Sequence, residues 1–172
     1  VGDSTAIWFF RLVGEEIHVI DYYENSGEGL RHYMTILKRK GYKYGYHYGP
    51  HDLNNKEFGS DAKSRYDIAR EGYEIDGQVY RLTFEVLPRA GIDDGIEQVR
   101  EILPRCVFDE HKCDEGISHL ENYRKEWDDK RGCWKDRPLH DHTSHGADAF
   151  RYLANSQTKR HKAKRVNIST VY

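Results

Sequence analysis

Thr5-Ala6-Ile7-Trp8-Phe9-Phe10-Arg11-Leu12, a turn at Gly14-Glu15, and Ile17-His18-Val19-Ile20-Asp21-Tyr22-Tyr23 decide the fold class. The first run is apolar and rich in strand formers. The second begins with the period-two alternation of a half-buried strand. Two such runs across a tight turn read as an antiparallel hairpin. Outward from it, Glu28 to Lys40 places Leu30, Tyr33, Met34 and Leu37 on one helical face and ends at Gly41. Tyr44 to Tyr48 reads as a short aromatic strand stopped by Gly49-Pro50, Ala62 to Arg70 as a helix, and Leu82 to Leu87 as a strand closed by Pro88. Gly72 and Gly77 break the stretch between them.

Asp93 to Leu103 predicts a helix with Ile92, Ile96, Val99 and Leu103 on one face, and Arg105 to Phe108 a buried strand. Cys113, Ile117 and Leu120 mark a further helix, Trp127 to Pro138 is charged and loop-like, and a last helix runs from Thr143 or Ser144 to about Asn155. The order β-β-α-β-α-β-α-β-α-α implies an α/β fold, a mixed sheet flanked by helices. Residues 1–155 form the expected domain. Residues 156–172 are a polar tail whose Lys159, Arg160, Lys162, Lys164 and Arg165 read as a solvated terminus or as a binding arm.

A chain of 172 residues suits one domain, and its 13% aromatic content argues against disorder despite 33% charged residues. The formal charge of −2 excludes a generally basic nucleic-acid coat, so any DNA contact is local. Cys106, Cys113 and Cys133 form no CxxC pair, which leaves them as inert thiols of a reducing compartment. No apolar run is long enough to span a membrane, which points to a soluble intracellular protein. There is no GxxxxGK[ST] phosphate loop and no GxGxxG, so the chain is not by itself an ATP-driven motor.

Asp52, in Gly49-Pro50-His51-Asp52, follows a strand, where side chains face the functional crevice of an open α/β sheet. It reads equally as a turn aspartate. Asp148, in Ser144-His145-Gly146-Ala147-Asp148-Ala149-Phe150-Arg151-Tyr152, shares a helical stripe with His145 and Tyr152 beside an apolar stripe of Ala147, Phe150 and Ala154. Taken alone it reads as helix-start capping chemistry. Asp3 reads first as a turn residue. Carboxylates from separate elements are what hard cations require, and two ions about 4 Å apart can activate water and stabilise the leaving oxygen of a phosphodiester. His140, Asp141, His142 and His145 offer a competing zinc reading, although HxHxxH is no recognised closed site.

Together these segments resemble one family. Gly2-Asp3-Ser4-Thr5-Ala6, Asp21-Tyr22-Tyr23-Glu24 with Gly29-Leu30, Tyr48-Gly49-Pro50-His51-Asp52, Asp94-Gly95-Ile96 with Val99-Arg100, Pro138-Leu139-His140-Asp141, and Ser144-His145 with Ala147-Asp148-Ala149-Phe150-Arg151-Tyr152 occur in this order. They are similar to the nuclease domain of bacteriophage terminase large subunits. The resemblance implies a ribonuclease-H-like fold and two-metal cleavage of double-stranded concatemeric DNA with Mg2+ or Mn2+. Carried over, Asp52 and Asp148 are metal-binding catalytic carboxylates, His145 assists, and His51 and Asp3 are auxiliary. Asp3 matches the family's turn aspartate, and its first catalytic aspartate and first strand are expected upstream of Val1. A chain without that aspartate is expected to bind metal poorly and cut slowly.

The resemblance further implies a portal protein, a terminase small subunit and an N-terminal ATPase domain as partners, no membrane, and the cytoplasm of a bacterial host. DNA-contact candidates are Lys56, Lys63, Arg65, Lys130 and Arg131, with Lys159 and Arg160 in the tail; each also reads as solvated surface. Two other readings stay open: another ribonuclease-H-like nuclease of the resolvase or exonuclease kind, and a non-catalytic fragment docking DNA or portal.

Overall fold

The computed structural model describes residues 4–56 and 62–166, with side chains in the last helix as far as residue 158. The chain divides into two compact units. Unit 1 is Val1–Ser26 with Ala90–Tyr172, and unit 2 is Gly27–Arg89.

Unit 1 opens with the expected hairpin. β1 (Ser4–Val13) and β2 (Glu16–Ser26) pair antiparallel from Ser4↔Ser26 to Val13↔Glu16. Gly14 turns between them at φ 61°, a conformation glycine adopts without steric penalty. The register shifts between Phe9 and Phe10, where Ile20 is the extra residue on β2, a β-bulge. β7 (Cys106–Phe108) runs parallel to β2, with Ile17↔Cys106 and Val19↔Phe108, giving a mixed sheet in the order β1-β2-β7. The strand expected to be buried here is an edge strand instead. It pairs on one side only, and Val107 is exposed.

Helices α3 (Ile92–Ile102), α4 (Asp114–Asn122) and α5 (Thr143–Val166) accompany this sheet. The core joins Trp8, Ile17, Val19, Tyr22, Ile102, Cys113, Phe150, Leu153 and Ala154. Ile17 and Val19, two apart on β2, give the alternation its physical meaning: both are fully buried. Phe150 is fully buried from α5, contributing on the order of 2 kcal/mol of hydrophobic stabilisation. On α3, Ile102 and Val99 face the core, while Ile92 and Leu103 of the expected apolar face are exposed. α5 does not stop near Asn155; it runs to Val166, and Ser156 and Gln157 are buried.

Residues 127–138, expected as a loop, belong to a second hairpin of β8 (Lys125–Asp128) and β9 (Cys133–Pro138). Trp127 and Trp134 are cross-strand partners with ring centroids 5.0 Å apart. Glu126 takes both Lys135 and Arg137. Neither face is buried, which hides the strand period, and cross-strand pairs supply what burial does not.

Unit 2 is built from α1 (Leu30–Lys40), β3 (His47–Gly49), α2 (Arg65–Glu71), β4 (Tyr73–Ile75), β5 (Gln78–Tyr80) and β6 (Phe84–Val86). α1 buries Tyr33, Met34 and Leu37 and ends at Gly41 in the left-handed conformation, as its periodicity predicts. α2 starts at a capping box in which Ser64 and Asp67 exchange side-chain and backbone hydrogen bonds. The aromatic strand is shorter than expected, beginning at His47, and pairs parallel with β6. β4 and β5 form a hairpin that the glycine breaks concealed. Asp76 and Gly77 both adopt positive φ, 52° and 74°, the signature of a two-residue turn. Among the described residues no helix is long and apolar enough to cross a membrane.

Candidate active site

In unit 2, Asp52 stands where the parallel pair β3–β6 ends. Pro50 closes β3, and a 3-10 turn, His51–Asn54, follows at once. That turn is pinned from below by Leu53, which is buried and fills the space a side chain at Gly49 would need: a Cβ there would lie 2.1 Å from Leu53 Cδ1. The Gly49 carbonyl accepts from Leu87 N at 2.9 Å, tying the turn to the chain after β6. With Leu53 inward, Asp52 and His51 are exposed. The Asp52 carbonyl accepts from Asn55 N at 2.9 Å, which closes the turn, while the residue itself is exposed.

In unit 1, Asp148 and His145 stand on the opening turns of α5. Asp141 caps the helix. Its Oδ1 accepts from Thr143 N at 2.9 Å and from Thr143 Oγ1 at 2.6 Å. Burial pushes the Asp141 carboxyl upward, but the Thr143 hydrogen bonds, with His142 and Arg124 nearby, outweigh it and hold it below the usual carboxylate range. Asp141 is thus committed to capping rather than to a ligand cluster. His140 Nδ1 lies 3.1 Å from Ser144 Oγ, and its ring meets that of His145 edge-on at 5.8 Å. The Asp148 side chain is 44% exposed and paired with Arg151 Nη2 at 2.5 Å. Arg151 Nε is buried and makes no hydrogen bond. Its aliphatic stem packs where Gly95 of α3 leaves room, 3.0 Å from the place of an added Cβ. Arg151 follows Asp148 by three residues, the spacing at which a helix brings opposite charges together. Among the described residues no three His, Cys, Asp or Glu side chains form a group that could hold a metal ion.

Comparison with protein-family models, curated proteins and solved structures finds no match to this chain. The residues must therefore speak for the site themselves. Of the expected DNA contacts, Lys63 is paired with Glu71 at 2.7 Å, while Lys56 and Arg65 are exposed. Lys130 and Arg131 form the tip of the β8–β9 hairpin, where Asp128 Oδ1 accepts from both backbone N–H groups at 3.0 and 3.2 Å. Both side chains are exposed, as are Trp127 and Trp134, and Arg131 Nε lies 3.9 Å from Asp128 Oδ2. Asp3 lies outside the described residues. Lys159 and Arg160 fall on α5, but their side chains lie outside the description.

The thiols behave as inert groups where they are enclosed. Burial pushes Cys106 and Cys113 up to about 11, far from a reactive thiolate. Cys133 is exposed on β9.

Proposed function

We propose that this chain is the nuclease domain of a bacteriophage terminase large subunit, an endodeoxyribonuclease on a ribonuclease-H-like fold that cuts double-stranded DNA during genome packaging. One observation carries the reading: the order of the motifs from Gly2 to Tyr152, ending in the Asp148 segment. The small mixed sheet flanked by helices is compatible with it. So is the placing of Asp52 just past the end of a parallel strand, with its carboxylate outward.

In this reading Asp52 and Asp148 are the catalytic carboxylates and Mg2+ or Mn2+ the cofactor. His145, three residues before Asp148 on the same helical stripe, assists. Among the described residues the side chains around Asp148 do not by themselves compose a metal site, and its ion-pair partner there is the Arg151 guanidinium. The Arg151 guanidinium orients the carboxylate through this ion pair, and its charge is of the sign a DNA phosphate would meet there. Lys130 and Arg131 supply phosphate contacts from the hairpin tip, which fix the position of DNA without reading its sequence. The partners that follow are double-stranded DNA, the portal, the small subunit and the packaging ATPase domain, in the cytoplasm of an infected bacterium.

Plasmid cleavage with Mn2+ tests the proposal. Asp52→Asn and Asp148→Asn should each lower the rate at least a hundredfold, while Asp93→Asn, on the exposed start of α3, should leave it unchanged. Cleavage that persists in the double variant Asp52→Asn/Asp148→Asn overturns it.

A further inference from the structure

A carboxylate, a phenol and an imidazole meet inside unit 1 with no part in the reaction described above. Glu24 and His119 are each only 10% exposed, and Tyr22 is buried. Polar groups survive such burial only when their hydrogen bonds are made. These three satisfy one another. The Tyr22 hydroxyl donates to Glu24 Oε2, and His119 Nδ1 lies 3.2 Å from that same oxygen and 3.3 Å from Tyr22 Oη. A carboxylate only accepts, so the imidazole presents Nδ1–H. Burial, then the Glu24 carboxylate, pushes the Tyr22 phenol far upward, which keeps it a proton donor.

The outer surface of this cluster is where α5 begins. A Cβ at Gly146 would lie 2.8 Å from Tyr22 Oη and 2.9 Å from His119 Nδ1, so the bare glycine rests directly on both. Its carbonyl is held as well: the Trp8 indole N–H donates to Gly146 O at 2.9 Å. His142, just before the helix, meets the His119 ring edge-on at 5.7 Å. Gly146 follows His145 directly and precedes Asp148 by two residues. A slip of one residue along a helix is about 1.5 Å and 100°. A misplacement of about 1 Å can cost roughly a hundredfold in rate.

We propose that Tyr22, Glu24 and His119 form a seat that fixes the start of α5 through Gly146, and thereby the placement of His145 and the Asp148 carboxylate for cleavage; this rests on the nuclease reading. They are positioning residues and touch neither substrate nor reacting atoms. The seat joins the first hairpin to α4 and α5, so segments far apart in sequence set one carboxylate.

Two native N–H groups report on the seat independently of activity. Trp8 Nε1–H bonds Gly146, and the buried Arg151 Nε–H belongs to the guanidinium on Asp148. Nitrogen-15 NMR of Tyr22→Phe, His119→Ala and His119→Asn reads both. Tyr22→Phe and His119→Ala should speed exchange of the Trp8 indole proton at least tenfold and shift the Arg151 Nε–H resonance. His119→Asn, whose amide can donate near the Nδ1 position, should restore both signals. Mn2+-dependent cleavage should fall at least tenfold in kcat in the first two variants, with KM for DNA within twofold, and recover in His119→Asn. A Trp8 signal that moves while Arg151 stays put, or kcat unchanged with only a lower melting temperature, overturns the seat. Should His119→Ala fail to fold, Tyr22→Phe, which removes a single oxygen, decides. If the wild-type chain does not cleave at all, the nuclease reading falls, whereas the Arg151 resonance still decides whether the seat reaches Asp148.

Discussion

At Gly116, on α4, an added Cβ would lie 2.3 Å from Trp8 Cη2 and 2.8 Å from Tyr22 Cδ2. These are ring atoms wedged in the core, and neither can swing aside. Gly116→Ala should therefore destabilise unit 1 by roughly 1–3 kcal/mol, even though alanine gains about 1 kcal/mol of helix propensity. At Gly95 the nearest atom is Arg151 Cδ at 3.0 Å, part of a side chain that can shift, so Gly95→Ala should cost less. Urea midpoints of the two variants check the order, and equal losses would contradict it. His47 contributes to the pH dependence of unit 2 near neutrality. Its ring packs on Tyr44 at 4.9 Å and on Phe84 at 6.0 Å, and burial pushes its pKa below 6.5. The unfolded chain takes up that proton more readily than the folded one. Its contribution to stability is thus full above pH 6.5 and is lost as pH falls toward the lowered folded value. His47→Gln should flatten the decline in urea midpoint between about pH 7.5 and 5.5; a decline as steep as in the parent chain would assign it to other groups.

A two-stranded ribbon is marginal on its own in water. The β8–β9 ribbon is reinforced locally by its tryptophan pair, by Glu126 between Lys135 and Arg137, and by Gly132 turning at φ 62°. Trp134→Ala should remove about 0.5–1.5 kcal/mol from the ribbon alone. Amides of Lys125–Asp128 and Cys133–Pro138 would then exchange faster while the global unfolding midpoint stays within error. A matching global loss would mean that the ribbon unfolds only with its unit. The same elements show what sequence can and cannot reveal. The first hairpin and α1 are legible because one face of each is buried, so apolar spacing copies geometry. The β4–β5 turn was legible too, in Asp76-Gly77, but the glycines around it read as mere breaks. In β8 and β9 neither face is buried, the tryptophan pair included, and the stabilising pairs join residues on different strands, so burial imprints no period on the sequence.

Over the whole chain, what is legible of the proposed catalytic residues lies in short contiguous segments, each described within its own unit: Pro50-His51-Asp52 and the stretch from Ser144 to Tyr152. The seat under α5 has no such signature. Tyr22 and His119 are 97 residues apart, Trp8 and Gly146 are 138 apart, and only folding brings them together. Strand order read along the sequence likewise suggested one continuous sheet, whereas the described strands fall into one mixed sheet and three separate pairs. The partition into units also has a temporal side. Unit 2 is one unbroken stretch, but unit 1 is assembled from both flanks of it. During synthesis the β1–β2 hairpin leaves the ribosome ahead of unit 2 and must wait for about 60 residues before α3 begins to arrive, roughly 3–12 s at ordinary elongation rates. Throughout that interval Trp8, Ile17 and Val19 lack the core partners that Ile102, Cys113 and Phe150 later supply, and unit 2 can finish folding before them. The bulge at Ile20 then gains a second meaning, because a locally twisted ribbon is a poorer template for a stray strand while it waits.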